Sequence, residues 1–202
     1  MKLIVVTSPE FFVEEDKIIT ALFEEGLDVL HLRKPKSPSV FIERLLTLIP
    51  EKYHQRIVTH EHFYLKEEFK LMGIHLNDRN KIIPEDYEGH ISCYCQSIDE
   101  VKKKKHFYDY ILLNPVFDCI SKPDSHPIVT DKDLMQAKKD KIITSKVVAF
   151  GGIRAENIQK VKDYGFDSVA VMGDLWDKFD EHSDNNFKTL VDYFIKLRKL
   201  AE

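Results

Sequence analysis

The chain has 202 residues, 43% of them hydrophobic and 32% charged, with a formal net charge of -4. That length suits one domain over residues 1–202, and the composition excludes a disordered chain. Without a basic excess a nonspecific nucleic-acid binder is not expected, and no apolar run is long enough to span a bilayer. The opening Met1-Lys2-Leu3-Ile4-Val5-Val6-Thr7 reads as a strand, not a signal peptide. Cys93, Cys95 and Cys119 lack zinc-finger spacing, and their odd number favours reduced thiols in the cytoplasm.

Strand-like and helix-like stretches alternate throughout. Residues 2–6 are apolar and β-branched, and 16–25 carry Ile18, Ile19, Leu22 and Phe23 at helical spacing up to Gly26. A second strand is expected over 27–33. Ser37-Pro38-Ser39 opens a helix through Phe41, Leu45, Leu46 and Ile49, which Pro50 closes. A third strand (56–59), a third helix (63–72) and a short fourth strand (73–76) follow. Residues 81–87 hold at most one helical turn. Then come a strand at 90–95, a helix at 97–105 whose Lys102–Lys105 run reads as a solvated face, and a strand at 108–113. A loop from 114 to about 129 contains Pro115, Pro123 and Pro127. The remaining elements are a helix at 131–139, a strand at 146–150, a helix at 155–164, a strand at 168–172 and a closing helix at 186–200.

Eight strands alternating with helices predict a parallel sheet with helical crossovers, and eight is the count that closes a (β/α)8 TIM barrel. A doubly wound open sheet is the alternative, but no G-x-G-x-x-G follows the first strand. Two stretches organise the expected site. Val147-Val148-Ala149-Phe150-Gly151-Gly152-Ile153-Arg154-Ala155-Glu156-Asn157 reads as strand, double-glycine turn and helix start. Ser168-Val169-Ala170-Val171-Met172-Gly173-Asp174 repeats the theme. Glycine admits positive φ and close approach of the backbone to a ligand. Such turns after the last two strands of a barrel hold phosphate; two ordinary strand ends are the plainer alternative.

Barrel enzymes work at the C-terminal ends of their strands. Here those ends carry His31-Leu32-Arg33-Lys34-Pro35-Lys36, His60-Glu61-His62, His75-Leu76-Asn77-Asp78-Arg79-Asn80, Tyr94-Cys95-Gln96-Ser97 and Asn114-Pro115-Val116-Phe117-Asp118-Cys119-Ile120-Ser121-Lys122. Cations at two ends and two phosphate-type turns suit a substrate carrying more than one phosphate. Arg33 can fork onto phosphate oxygens, while Lys34, Lys36 and Lys122 act as point charges.

These residues resemble the thiamin phosphate synthase and thiazole tautomerase superfamily, from about Leu3 to Leu175. The most specific parts are the strand-two Leu-Arg with nearby lysines and the Gly73-Ile74-His75-Leu76 turn. To these add Pro115-Val116-Phe117 running to Ser121-Lys122, and Phe150-Gly151-Gly152-Ile153 with Asn157. The resemblance implies a transferase that joins hydroxymethylpyrimidine pyrophosphate to thiazole phosphate and releases pyrophosphate. It implies a dissociative mechanism aided by Mg²⁺ and cations. It further implies Arg33 and Lys122 as catalytic groups on the leaving group. Gly152 and Met172-Gly173 would cradle the thiazole phosphate. Ser97 and Ser121 fall at Ser/Thr positions of the family, and His31 stands where a glutamine commonly reads the pyrimidine.

The chain also departs from that pattern. The family's Arg-x-Lys becomes Arg33-Lys34-Pro35-Lys36, so Lys34 or Lys36 would replace its lysine. The Mg²⁺-binding Asn-Asp pair becomes His60-Glu61, a second aspartate falls on Asn80, and Glu61 with Asp78 is the remaining metal candidate. Two rivals follow. A tautomerase-like isomerase uses a strand-six histidine, whose place Pro115 takes here, with His60, His62 or His75 as substitutes for proton transfer. The other is a noncatalytic binder of a phosphorylated thiamin precursor. His60, His62 and His75 could also attract a transition metal, but histidines are more often surface or structural residues, and they are not assigned as ligands. A homo-oligomer is compatible with the sequence.

Overall fold

Alternate residues along each strand point to opposite sides of a sheet, and here the two sides meet different cores. The computed structural model describes residues 1–119, 126–179 and 186–202. Its strands are β1 (Lys2–Val6), β2 (Val29–Leu32), β3 (Ile57–Thr59), β4 (Gly73–Leu76), β5 (His90–Cys95), β6 (Tyr110–Leu113), β7 (Val147–Ala149) and β8 (Ser168–Val171). All neighbours pair in parallel, and β1 closes on β8 with Lys2 opposite Ser168 and Val5 opposite Val171. The expected barrel is therefore formed.

Leu3 and Val5 of β1, Leu30 and Leu32 of β2 and Ile111 and Leu113 of β6 face the outer layer. The apolar stripes of α1 (Glu15–Glu24) and α8 (Asn186–Ala201) cover the β1 side of this layer, and the helix after β5 covers β6. Ile18, Ile19, Leu22, Leu190, Phe194 and Leu197 are buried there, each contributing roughly 1.5–3 kcal/mol over leaving it exposed. The inner layer is smaller and begins with Ile4, Val6, Val29, Val58, Leu112, Val148 and Ala170.

The other helices are α2 (Ser39–Leu48), α3 (Leu65–Glu68), α4 (Ile98–Lys104), α5 (Asp131–Lys139), α6 (Ile158–Asp163) and α7 (Gly173–Trp176). Several differ from expectation. The helix expected over 63–72 shrinks to the single turn α3. Lys70 adopts φ 52° and the Leu71 N–H turns back to the Lys66 carbonyl, which ends the helix. Residues 81–87 contain no helix, within the expectation of at most one turn. A 3-10 turn, Glu51–Arg56, precedes β3, and another, Ala155–Asn157, leads into α6. The short α7 after β8 was not expected; its Trp176 Nε1 donates to the Val6 carbonyl at 2.7 Å and ties that end to β1. No helix among the described residues is long and apolar enough to cross a membrane.

Candidate active site

A cavity of about 460 Å³ opens at the C-terminal ends of the strands. Arg33, Asp78, Arg79, Gly151, Gly152, Met172 and Gly173 line it, with Tyr94, Gln96, Asn114 and Cys119 on the side of β5 and β6. The structure thus brings together four residues that the sequence placed apart: Arg33, Gly152, Met172 and Gly173. Ser121 and Lys122 lie outside the described residues.

One wall is cationic. Arg33 is set by Thr7, whose hydroxyl accepts from the Arg33 N–H at 2.9 Å and donates to the Arg33 carbonyl at 3.0 Å. Burial, and then the neighbouring charge of Arg79, lowers the Arg33 pKa. Two guanidinium groups near enough to repel each other are relieved by an anion between them. Arg79 stood in the strand-four segment, but nothing in its spacing marked it. It is carried forward by a turn in which Asn77 Oδ1 accepts from the N–H groups of Arg79 and Asn80.

The opposite wall is backbone. Gly151 and Gly152 have φ 84° and 66°, a region costly for other residues. A Cβ on Gly152 would come within 2.4 Å of the Asp118 carbonyl oxygen, and one on Gly151 within 2.4 Å of Asn114 Oδ1. Asn157 Nδ2 donates to the Gly152 carbonyl at 2.8 Å and holds the turn. No acceptor among the described residues takes the N–H of Gly151, Gly152 or Gly173. These amides can meet an anionic oxygen.

Three histidines lie at the base of the cavity, inside the barrel. His60 and His75 line the cavity, and His31 is fully buried. His31 Nδ1 lies 2.9 Å from His60 Nε2, and His31 Nε2 lies 2.7 Å from the Tyr110 hydroxyl. His75 Nδ1 pairs with Ser92 Oγ at 2.9 Å. Burial pushes the pKa of His31 down to about 3 and those of His60 and His75 well below the usual value, so all three are neutral at pH 7. His31, expected to read the pyrimidine, is not among the residues that line the cavity. Its place on β2 turns the side chain into the barrel, opposite the outward Leu30 and Leu32.

Three further residues expected at the site lie off the cavity. The Lys34 side chain is buried away from the cavity, with Nζ 2.6 and 2.7 Å from the two Glu15 oxygens and 2.9 Å from the Glu10 carbonyl. One residue beyond Arg33 along an extended chain points the other way, so Lys34 is held by Glu15 and does not line the cavity. Lys36 is exposed at φ 65° and does not line the cavity. Ser97 caps α4, its hydroxyl accepting from the Glu100 N–H at 3.2 Å, and also lies off the cavity.

The metal pair fares differently. Glu61 is buried, with Oε1 accepting from Arg79 Nη2 at 2.7 Å and Oε2 from the Lys34 N–H at 3.0 Å. Asp78 is exposed and bonds to the Tyr94 hydroxyl, which lowers its pKa. Asn80 Nδ2 donates to the His60 carbonyl and ties the β4 loop to β3. Mg²⁺ needs free, hard carboxylate oxygens, and the Glu61 oxygens already serve a guanidinium and an amide. The donors present do not fit a Mg²⁺ ion held between Glu61 and Asp78.

A family model described as thiamine monophosphate synthase matches residues 3–175. The chain belongs to the thiamine monophosphate synthase family. Among its relatives, the thiamine-phosphate synthase of Halalkalibacterium halodurans is 28% identical over 189 residues, covering 86% of this chain and 87% of that one. The thiamine-phosphate synthase of Clostridium tetani is 27% identical over 176 residues, covering 81% of each. The crystal structure of thiamine phosphate pyrophosphorylase from Bacteroides thetaiotaomicron is 61% identical with a TM-score of 0.92, covering 100% of this chain and 98% of that one. A thiamine phosphate pyrophosphorylase from Pyrococcus furiosus shares the fold, with a TM-score of 0.74 at 17% identity over 99% of this chain and 95% of that one. In this member of the synthase family the cationic wall and the glycine wall face one cavity.

Proposed function

We infer that this protein is a thiamin-phosphate synthase, a transferase that joins hydroxymethylpyrimidine pyrophosphate to thiazole phosphate and releases pyrophosphate. One observation carries the reading beyond family membership. Arg33 and the Gly152 and Gly173 turns line the same cavity, so two anionic groups can be seated with their organic parts between them.

Arg33 and Arg79 take the pyrophosphate, and Lys122 joins them in this reading. Heterolysis of the pyrimidine carbon–oxygen bond leaves the electron pair on pyrophosphate, where guanidinium groups stabilise the growing charge. The bare amides of Gly151, Gly152 and Gly173 hold the thiazole phosphate and aim the ring nitrogen at the cationic carbon. Leu112, Ala170 and Met172 give that carbon an apolar surround. No group has to take up or deliver a proton at neutral pH in this step, which matches histidines held neutral by burial. The same neutrality weakens the isomerase alternative, because a proton shuttle works best with a pKa near the working pH. The free thiols of Cys93, Cys95 and Cys119 suit a reducing cytoplasm.

The test is pyrophosphate release by purified protein given both substrates. Release that falls to background in Arg33→Ala supports the reading. A folded wild-type protein that releases none across a full Mg²⁺ titration overturns it. Solvent deuterium entering the thiazole without the pyrimidine substrate would point to the isomerase, and saturable binding without turnover to a binder.

A further inference from the structure

Barrel interiors are filled mainly by aliphatic side chains, yet this one directs an imidazole inward from each of three adjacent strand regions. We propose that His31, His60 and His75 form a binding site for one divalent transition-metal ion of the zinc class at the base of the cavity. The site is separate from the carboxylates Glu61 and Asp78, and it stands whether or not the synthase reading does.

The geometry of the rings carries the inference. One ligand atom from each histidine lies within 4.8 Å of the other two. Ring centroids are 5.1 Å apart for His31 and His60 and 5.2 Å for His31 and His75, both edge to face, and 4.2 Å for His60 and His75, whose planes stack at 23°, so one ring of that pair turns on binding to bring the ion into its plane. Rings bound at about 2.0–2.1 Å have centroids roughly 3 Å from the ion, so three of them at angles of about 90–110° fall roughly 4.4–5.1 Å apart. The 2.9 Å between His31 Nδ1 and His60 Nε2 subtends about 90° at such an ion.

For two of the three rings the surroundings match the arrangement that orients metal-ligating histidines, in which the second nitrogen has a hydrogen-bond partner. Tyr110 holds His31 Nε2 and Ser92 holds His75 Nδ1, leaving His31 Nδ1 and His75 Nε2 for the ion. Without an ion, a proton must sit between His31 Nδ1 and His60 Nε2. With one, His31 keeps its single proton on Nε2 and donates it to Tyr110. Only neutral imidazole ligates, and burial keeps all three neutral. Nitrogen donors alone select zinc-like ions over magnesium. His60 and His75 line the cavity, which supplies the entry path.

The experiment equilibrates chelator-stripped full-length protein with Zn²⁺, Co²⁺ or Ni²⁺, dialyses it and counts retained ions by elemental analysis. One ion per chain is expected, with visible Co²⁺ d–d absorption. His60→Gln and His75→Gln should lose the ion, and His62→Ala should keep it. Tyr110→Phe and Ser92→Ala should weaken affinity by about ten- to a hundred-fold. A wild-type protein that retains no ion after dialysis overturns the proposal, as do folded His60→Gln and His75→Gln proteins with full occupancy. If the glutamine variants do not fold, imidazole ¹⁵N spectra of the wild type decide. Zn²⁺ should then move the signals of these three rings, and unmoved signals reject the site.

Discussion

Arg79 donates to Glu61 at 2.7 Å across the cavity rim, and the same carboxylate takes the backbone N–H of Lys34 next to Arg33. One carboxylate therefore braces both guanidinium-bearing segments. Replacing Arg79 by alanine should remove one charge-assisted contact to the leaving group, lowering kcat/KM by about 1.5–3 kcal/mol, or roughly ten- to a hundred-fold. If Glu61 braces and does not ligate, Glu61→Gln leaves the half-saturating Mg²⁺ concentration unchanged while weakening substrate binding. Steady-state kinetics over a Mg²⁺ series distinguishes the two roles; a large rise in the Mg²⁺ requirement would return Glu61 to the metal.

The buried Lys34–Glu15 pair should behave as structure alone. Burial raises the Glu15 pKa to about 7 and lowers that of Lys34, so each ion depends on the other. Removing one partner of such a pair costs about 3–5 kcal/mol, whereas an apolar pair of similar volume is often neutral or stabilising. Glu15→Ala should thus destabilise the protein strongly in urea, and Glu15→Leu with Lys34→Met should recover much of the loss. Turnover by folded double variant should match wild type; a collapse of turnover in that variant would restore Lys34 as a substrate contact.

Gly152→Ala should act on one substrate only. The φ of 66° and the 2.4 Å approach to the Asp118 carbonyl leave no room for a methyl group, at a cost of about 1–3 kcal/mol in stability. The displaced turn should raise KM for thiazole phosphate well above any change in KM for the pyrimidine substrate. Equal effects on both would detach this turn from the thiazole end.

The three buried histidines make stability pH-dependent in a stated direction. Their folded pKa values are depressed, to about 3 for His31. Their stabilising contribution is present above the unfolded value near 6.5 and is lost progressively as pH falls toward the folded values. Between pH 7 and 5.5 the unfolded chain gains protons that the native one refuses, which lowers stability by about 1 kcal/mol for His31, with His60 and His75 adding in the same direction. Urea unfolding of metal-free protein at the two pH values measures this; equal stabilities would mean the imidazoles titrate normally.

The barrel was legible because its strands are apolar and regularly interrupted, and because the Gly151-Gly152 pair and Gly173 mark the ends of its last two strands. Arg33 was legible by its place beside a strand. What escaped were properties of phase and distance. Whether a residue faces the barrel or the helices depends on the register at closure, which set His31 inward and Lys34 outward. The partner of Lys34 lies on a different helix, at Glu15, and no local pattern announces it. Arg79 sat in plain view, but only the Asn77 turn brings it to the rim. The in-phase placement of one histidine on each of β2 and β4, with His60 just after β3, was the signal that could have exposed the cluster.

The glycine turn after β7 and the chain leaving β6 occupy each other's space, with Asn114 and Asp118 standing where side chains on Gly151 and Gly152 would have to go. Neither segment can drift alone over evolutionary time. Lineages that enlarge one must retract the other, so positions 114–118 and 151–152 should vary in concert across homologues. Changes in substrate preference would arrive there as paired events.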